Sequence, residues 1–580
     1  MPSNEKKRYS NKNTFRKFIY IGFILVLLII LGSSILAIYP LPSKEKVDYF
    51  HSEKPIIFKN EVIEGETLLV ENQFYVSLQF FMEYIDQNVF FDQTSMSIII
   101  TTEDKVLQIP EEELSIFINE EAFSFELPLL TLNEEDYYVS LELLKMIYAL
   151  DINVVDDTNA LFIREDGEEV QLGTVNGSIK EHEARLREKE TVTSPYIAEV
   201  NKEERVIVEQ DKGDYLYVRK LNGMAGFLKS KHVTVDPEPG RIEVVLERKE
   251  NIALPKIVGP INLTWEAVYT ETPSSNTFPE LPGVNVVSPT WFKLKNAEGD
   301  ISNIGSTEYM EWAREKDFQV WGLFSNDFDP DLTSKALESF ETRQKMIRQL
   351  LYYSQLYDLD GINVDFENVF FQDKELVTQF MRELTPYLHR AGLIVSMDIT
   401  FISASENWSM FYDRIALSKI VDYMIVMAYD EHWATSPQSG SVASLPWVEQ
   451  NVARLLDEVP NEKLVLGIPM YTRLWTEQTT DGGNVEVSSQ AFSMDEVNEW
   501  IEARQLTPLY DKASGQNYVE YTDETEKVTY KIWIEDEMSI EQRIAISKDY
   551  KLAGVASWAR HFANDDAWKH LNKVLHGNEK

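Results

Sequence analysis

The sequence contains no cysteine. Disulfides, thiolate metal sites, cysteine nucleophiles and a lipid-bearing cysteine anchor are therefore excluded together. Positive charge is also scarce, with 55 lysines and arginines against 96 aspartates and glutamates and a formal net charge of -41. No basic patch lies beyond the N-terminus to neutralise phosphates, so a nucleic-acid partner is disfavoured. No pattern calls for a metal or an organic cofactor, and none is expected. Apolar residues, by contrast, are plentiful: 44% of 580 residues are hydrophobic and 12% aromatic, enough to bury several cores. Three or four domains are expected.

The compartment is written in the first forty residues. Phe18 to Ile38 is an uncharged apolar run of about the ~20 residues that a bilayer-spanning helix needs. It follows Lys6, Lys7, Arg8, Lys12, Arg16 and Lys17. The positive-inside rule assigns residues 1–17 to a cytoplasmic tail, 18–38 to a single transmembrane anchor in the cell membrane, and everything after Pro40 to the outside. A cleaved signal peptide is the rival reading, but its apolar core is usually shorter, roughly 7 to 15 residues.

Residues 48–169 repeat weakly. Phe74-Tyr75-Val76-Ser77-Leu78, a helical stretch through Tyr84 and a strand at Ser97 to Thr101 recur as Tyr137-Tyr138-Val139-Ser140-Leu141, a helix through Tyr148 and a strand at Ala160 to Arg164. Two copies of a small α+β unit are expected. The pattern resembles the N-terminal repeats of copper amine oxidases, although His51 is the segment's one histidine and no copper chemistry is implied. Residues 183–235 hold short β-type runs at Glu204 to Gln210, Tyr215 to Arg219 and Ala225 to Leu228. With Gly213-Asp214-Tyr215, Asn222-Gly223 and Gly226-Phe227 between them, they resemble a bacterial Src-homology-3-type domain. Such a domain implies a cell-wall ligand; a spacer without a ligand is the equal alternative. Pro237-Glu238-Pro239-Gly240 reads as a linker.

The densest chemistry lies in Asp360-Gly361-Ile362-Asn363-Val364-Asp365-Phe366-Glu367. As a strand it places Ile362, Val364 and Phe366 on one face and Asn363, Asp365 and Glu367 on the other, about 6 to 7 Å between alternate Cβ atoms. Helices are expected on either side, at Ser334 to Leu359 and Lys374 to Ala391. A strand between two helices is usually a buried parallel strand, and carboxylates in a row there demand a function.

Asp360, Asn363, Asp365 and Glu367 resemble the DxxDxDxE signature of glycoside hydrolase family 18, the chitinase-like family, with Asn363 where many members have Asp. The resemblance implies an α/β (β/α)8 TIM barrel over residues 250–577, with its site at the C-terminal strand ends. Strands are expected at Lys256 to Trp265, Val284 to Phe292, Gln319 to Ser325, Gly361 to Glu367, Leu393 to Thr400, Tyr423 to Asp430, Lys463 to Tyr471 and Gly554 to Arg560. A small α+β insertion is expected over 472–553, before the last strand. Met427-Ala428-Tyr429-Asp430 matches the family's MxYD pattern, and Tyr471, Arg473 and Trp558 close the seventh and eighth strands. Trp291, Trp321, Trp475 and Trp533 are candidates for sugar subsites, with plain core the alternative.

By that resemblance Glu367 is the general acid and base, Asp365 orients the substrate acetamido group, and Tyr429 hydrogen-bonds its oxygen in a substrate-assisted reaction. Asn363, Met427, Asp430, Tyr471, Arg473 and Trp558 are the implied substrate-binding residues, and Asp360 a structural residue at the site. The amide of Asn363 is expected to hydrogen-bond Asp365, so that Asp365 depends less on a shared proton. The surrounding motifs lie closer to bacterial wall and spore-cortex N-acetylglucosaminidases than to chitinases, although LysM-like repeats are missing. The expected partner is an N-acetylglucosamine-containing polysaccharide, peptidoglycan or chitin-like. A catalytically silent sugar-binding barrel and an anchored scaffold remain open alternatives.

Overall fold

The computed structural model describes residues 12–246, 253–275, 278–480 and 484–577. Lys6, Lys7 and Arg8 of the expected tail, and residues 250–252 of the expected barrel segment, lie outside the described residues. The chain forms two compact units, one made of Met1–Gln87 and Leu127–Arg248, the other of Asn88–Glu126 and Lys249–Lys580.

The first unit opens with a helix at Lys12–Ile38, of which the 23 residues Arg16–Ile38 are long and apolar enough to cross a membrane. Two hairpins follow, Thr67–Val70 with Gln73–Ser77 and Leu130–Asn133 with Asp136–Ser140. They join edge to edge in antiparallel register, Val76 opposite Val139. Each hairpin ends in a serine that caps a helical turn: Ser77 Oγ accepts from Phe80 N and Ser140 Oγ from Glu142 N. The two expected copies do not close separately. The strand Ser97–Thr101 of the first copy belongs to the other unit, while its counterpart Leu161–Glu165 pairs with Ile56–Phe58 here. A seven-stranded antiparallel sheet completes this unit. It takes in Leu172–Val175, which lies between Arg205–Asp211 and Val233–Val235, so the small all-β domain starts before the expected residue 183. The expected linker is also tied down, because Gly240 and Arg241 pair with Val170 and Glu169.

In the second unit eight parallel strands close on themselves: β1 Ile261–Glu266, β2 Val286–Pro289, β3 Gln319–Ser325, β4 Gly361–Asp365, β5 Ile394–Ile399, β6 Tyr423–Met427, β7 Leu464–Pro469 and β8 Gly554–Trp558. Ladders run in that order, and β8 returns to β1 with Ile261 opposite Gly554. This is a (β/α)8 barrel, with every expected strand in place. Its strands are buried on both faces, as crossover helices require. Ile362, Val364 and Phe366 pack outward, and the Phe366 ring stacks on Phe380 of the helix Lys374–Arg390 at 5.7 Å. Inward, Leu263, Trp265, Trp321, Ile425 and Val465 fill the lumen. Gly361 is needed where β4 begins, since a Cβ there would lie 2.7 Å from the Ile394 carbonyl and 2.9 Å from the Trp321 ring.

The helix expected over Ser334 to Leu359 is two helices, Pro330–Glu338 and Phe340–Tyr357. Arg343 of the second takes the Leu337 carbonyl at 2.7 Å, satisfying a freed acceptor at the break. The insertion is shorter than expected. Its sheet runs from Tyr471–Thr479 to Val528–Ile534, and Glu537–Asp549 returns as a barrel helix that is pinned by the buried Arg543–Glu535 pair.

The barrel unit also takes in a five-stranded antiparallel meander, Phe90–Asp92 through Glu121–Ser124. Its anchor is charged. Asp92 accepts from Phe340 N at 2.8 Å and from Arg343 at 3.1 Å, while Arg343 also binds Glu383 at 2.8 Å. All three side chains are fully buried. Ile99 and Val106 pack beside them on Phe340.

Candidate active site

Glu367 sits two residues beyond the end of β4, half-buried, where its strand would otherwise fray. Asn326, the residue after β3, holds that position. Its Oδ1 accepts from Glu367 N at 3.0 Å and its Nδ2 donates to Glu367 O at 2.7 Å. The same Nδ2 reaches Thr333 Oγ1 at 2.9 Å, which locks the amide's orientation. From the other side Tyr412 OH donates to Phe366 O at 2.7 Å.

Behind Glu367, Asp365 is 7% exposed and its Oδ1 is buried without a hydrogen-bond partner among the described residues. Burial pushes its pKa up to about 7. Glu367 is raised well above the usual carboxylate range by burial first, then by the charges of Asp365 and Asp430. The two acids therefore leave their protons far apart in pH from ordinary carboxyls, which suits acid and base work near neutrality.

Asn363, fully buried, does not bond Asp365 as expected. Its Oδ1 accepts from Trp265 Nε1 at 3.0 Å and from Ser288 Oγ at 3.1 Å, and its Nδ2 donates to Asp398 Oδ1 at 2.8 Å. Two donors occupy the carbonyl oxygen, so the NH2 group has to face β5. Asp398 is 2% exposed and is raised well above the carboxylate range by burial, then by Asp365.

Beyond β6, Tyr429 is half-buried, and burial followed by the charge of Asp398 raises its pKa. Asp430 is exposed and adopts φ 59°, with Oδ1 taking Tyr471 OH at 2.5 Å and Arg473 Nη2 at 3.2 Å. Tyr471 and Arg473 follow β7, and Trp558 ends β8 with its ring 5.8 Å from that of Trp265. Met427 ends β6, half-buried. These strand ends bring Asn363, Asp365, Glu367, Met427, Tyr429, Asp430, Tyr471, Arg473 and Trp558 to one face of the barrel. Asp360 is not among them. It precedes β4 at the opposite end, where Arg314 at 2.7 Å and Val320 N at 2.8 Å bind its carboxylate. Trp291, Trp321 and Trp475 are fully buried core, and Trp533 is half-buried with its indole N–H on Asp511 at 3.2 Å.

Reading the strand alone missed Asn326, Trp265, Ser288, Tyr412 and the pairing with Asp398. A signal existed for Asn326, a polar residue directly after an apolar barrel strand.

A closed parallel barrel with Asp365 and Glu367 together at its C-terminal strand ends has the arrangement that acid and base chemistry needs. Residues 275–563 match Glycosyl hydrolases family 18, so the barrel is a family 18 domain and the chain a glycoside hydrolase. Residues 57–163 match the Copper amine oxidase N-terminal domain. The uncharacterised glycosylase YvbX of Bacillus subtilis is 27% identical over 301 residues, covering 50% of this chain and 84% of YvbX. The cortical fragment-lytic enzyme of the same organism is 25% identical over 252 residues, or 43% of this chain and 57% of that enzyme. The spore cortex-lytic enzyme SleL of Bacillus megaterium superposes with TM-score 0.48 and 19% identity, covering 60% of this chain and 79% of that one.

Proposed function

We propose that the chain is a membrane-anchored, extracytoplasmic enzyme that hydrolyses β-linked N-acetylglucosamine glycan, peptidoglycan foremost, by substrate-assisted retaining catalysis. One observation carries the reading. The buried Oδ1 of Asp365 has no donor among the described residues and stands beside the half-buried acid Glu367. An unsatisfied buried acceptor costs about 1 to 3 kcal/mol, and the N–H of an acetamido group would satisfy it.

Glu367, protonated, gives its proton to the glycosidic oxygen. The acetamido oxygen attacks the anomeric carbon as the leaving group departs, forming an oxazolinium whose positive charge Asp365 balances. Glu367, now ionised, takes a proton from water, which opens the ring with net retention. Tyr429 donates to the acetamido oxygen, Trp558 floors the sugar, and Asp430 with Tyr471 and Arg473 forms a polar rim. The name of the cortical fragment-lytic relative favours peptidoglycan; a chitin-like glycan is the second reading.

Digestion of purified peptidoglycan and of chitin, with mass analysis of the products, tests the substrate. Release of fragments ending in reducing N-acetylglucosamine from peptidoglycan supports it; chitin fragments alone reverse the order. A thiazoline analogue of N-acetylglucosamine should inhibit, and a glucoside without the acetamido group should survive intact. For the topology, the absence of cysteine makes labelling clean. A Glu315→Cys chain in wall-stripped cells should react with a membrane-impermeant maleimide; protection until lysis would reject export.

A further inference from the structure

Position 363, an amide, cannot carry a proton for its neighbours, yet a third carboxyl stands within the same network. Asp398 Oδ1 lies 2.8 Å from Asn363 Nδ2, in a pocket where Trp265 and Ser288 fix the amide with its NH2 toward Asp398. Oδ1 receives a hydrogen there, so a proton on this carboxyl rides on Oδ2. The groups acting on Asp398 come from each flanking element. Asp365 ends β4 and Glu367 follows it, Tyr412 follows β5, and Tyr429 follows β6. Hydrogen bonds from Asn363 and the Trp265 indole favour the charged form of Asp398, and the one cation in this set, Arg414, lies against the Tyr412 ring rather than on a carboxyl. Two buried carboxyls and the half-buried Glu367, with no cation bonded to Asp365, Asp398 or Glu367 among the described residues, do not all ionise together near neutral pH.

We propose that Asp398 is a positioning residue that carries the second proton of the site: it stays neutral while Asp365 is charged, accepts the Asn363 amide, and leaves the single negative charge on Asp365. The upward direction of all three shifts agrees. In effect the carboxyl that position 363 lacks is supplied from β5, one amide away. The proposal rests on the hydrolytic reading above for its kinetics, though not for its proton.

The test uses the full-length chain and a fluorogenic N-acetylglucosaminide. Asp398→Asn keeps the acceptor and mimics the neutral acid, so the acid limb of kcat/KM should stay within a few tenths of a pH unit of the parent. The parent's alkaline limb should contain a step, from ionisation of Asp398, that this variant lacks. Asp398→Leu removes the acceptor and should lower kcat by roughly 10-fold or more with little change in KM. Infrared difference spectra at neutral pH, parent minus Asp398→Asn, should show a protonated-carboxyl stretch. A fall of the acid limb by one pH unit or more in Asp398→Asn, with no such band, would mean that Asp398 is ionised and would overturn the proposal. If the parent turns over no N-acetylglucosaminide at any pH, the hydrolytic reading fails, and the infrared comparison still decides the proton.

Discussion

Asn326 grips Glu367 by its backbone: the amide oxygen takes Glu367 N at 3.0 Å and the amide nitrogen gives to Glu367 O at 2.7 Å. The bond pair extends the β3–β4 ladder beyond the last regular residue and fixes the side chain that follows. Asn326→Asp has the same shape but sets an acceptor against the Glu367 carbonyl. Expected is a fall in kcat of about 10- to 100-fold with a smaller change in KM, since misplacement of a reacting group costs rate more than binding. Steady-state kinetics on a fluorogenic N-acetylglucosaminide measure it, and equal effects on kcat and on thermal stability would count against it.

Glu367→Gln keeps size and polarity and removes the proton donor. Activity should drop on the order of 10² to 10⁴ on substrates with poor leaving groups, with an unchanged circular dichroism spectrum. A rate within twofold of the parent would remove Glu367 from its role.

The pH profile follows from Asp365, held up to about 7 by burial. The proposed mechanism uses Asp365 ionised and Glu367 protonated, so kcat/KM should rise through about pH 7 and fall only at the higher pH where Glu367 ionises. Stability has the opposite sign. A carboxyl raised on folding binds its proton more tightly in the native chain, so its stabilisation is complete below about pH 4 and is lost as pH climbs through 7. Asp365→Asn should therefore gain melting temperature relative to the parent at pH 8 and lose that advantage at pH 5. A difference independent of pH would contradict the shift.

Asp92 carries the contact between the five-stranded meander and the barrel helices. Asp92→Ala leaves Arg343 with Glu383 as its carboxylate partner and strips Phe340 N of its acceptor. Removing one member of such a buried network costs about 3 kcal/mol. The melting point of the barrel should drop by several degrees, and hydrogen exchange should rise in both Ser97–Thr101 and Phe340–Tyr357. Faster exchange in the meander alone would mean that the barrel is indifferent to it.

Much of the barrel was legible because parallel strands buried on both faces leave continuous apolar runs, and Ile362, Val364 and Phe366 face the helices as period two requires. The residues on the strand ends were named from the family's motifs, which the apolar runs alone do not contain. What local pattern could not carry was partnership. Asn363 finds Asp398, 35 residues away, because Trp265 and Ser288 turn its amide, and none of these relations leaves a trace in spacing. Asp360 was misplaced to the site because the signature is continuous in sequence while its strand spans the barrel from end to end. The strand Ser97–Thr101 looked like part of a repeat, and hydrophobicity alone does not say which core a strand joins.

The backbone passes between the two compact units three times, after Gln87, after Glu126 and after Arg248. A protease that cuts at the last crossing therefore severs the polypeptide without shedding the catalyst, because Asn88–Glu126 remains clasped to the barrel through Asp92 and Arg343. The two pieces would part on a denaturing gel and migrate together on a native one. An expression boundary drawn at the start of the barrel would, for the same reason, discard a sheet that the barrel buries and uncover Arg343. One nick there would not by itself part Asn88–Glu126 from the barrel.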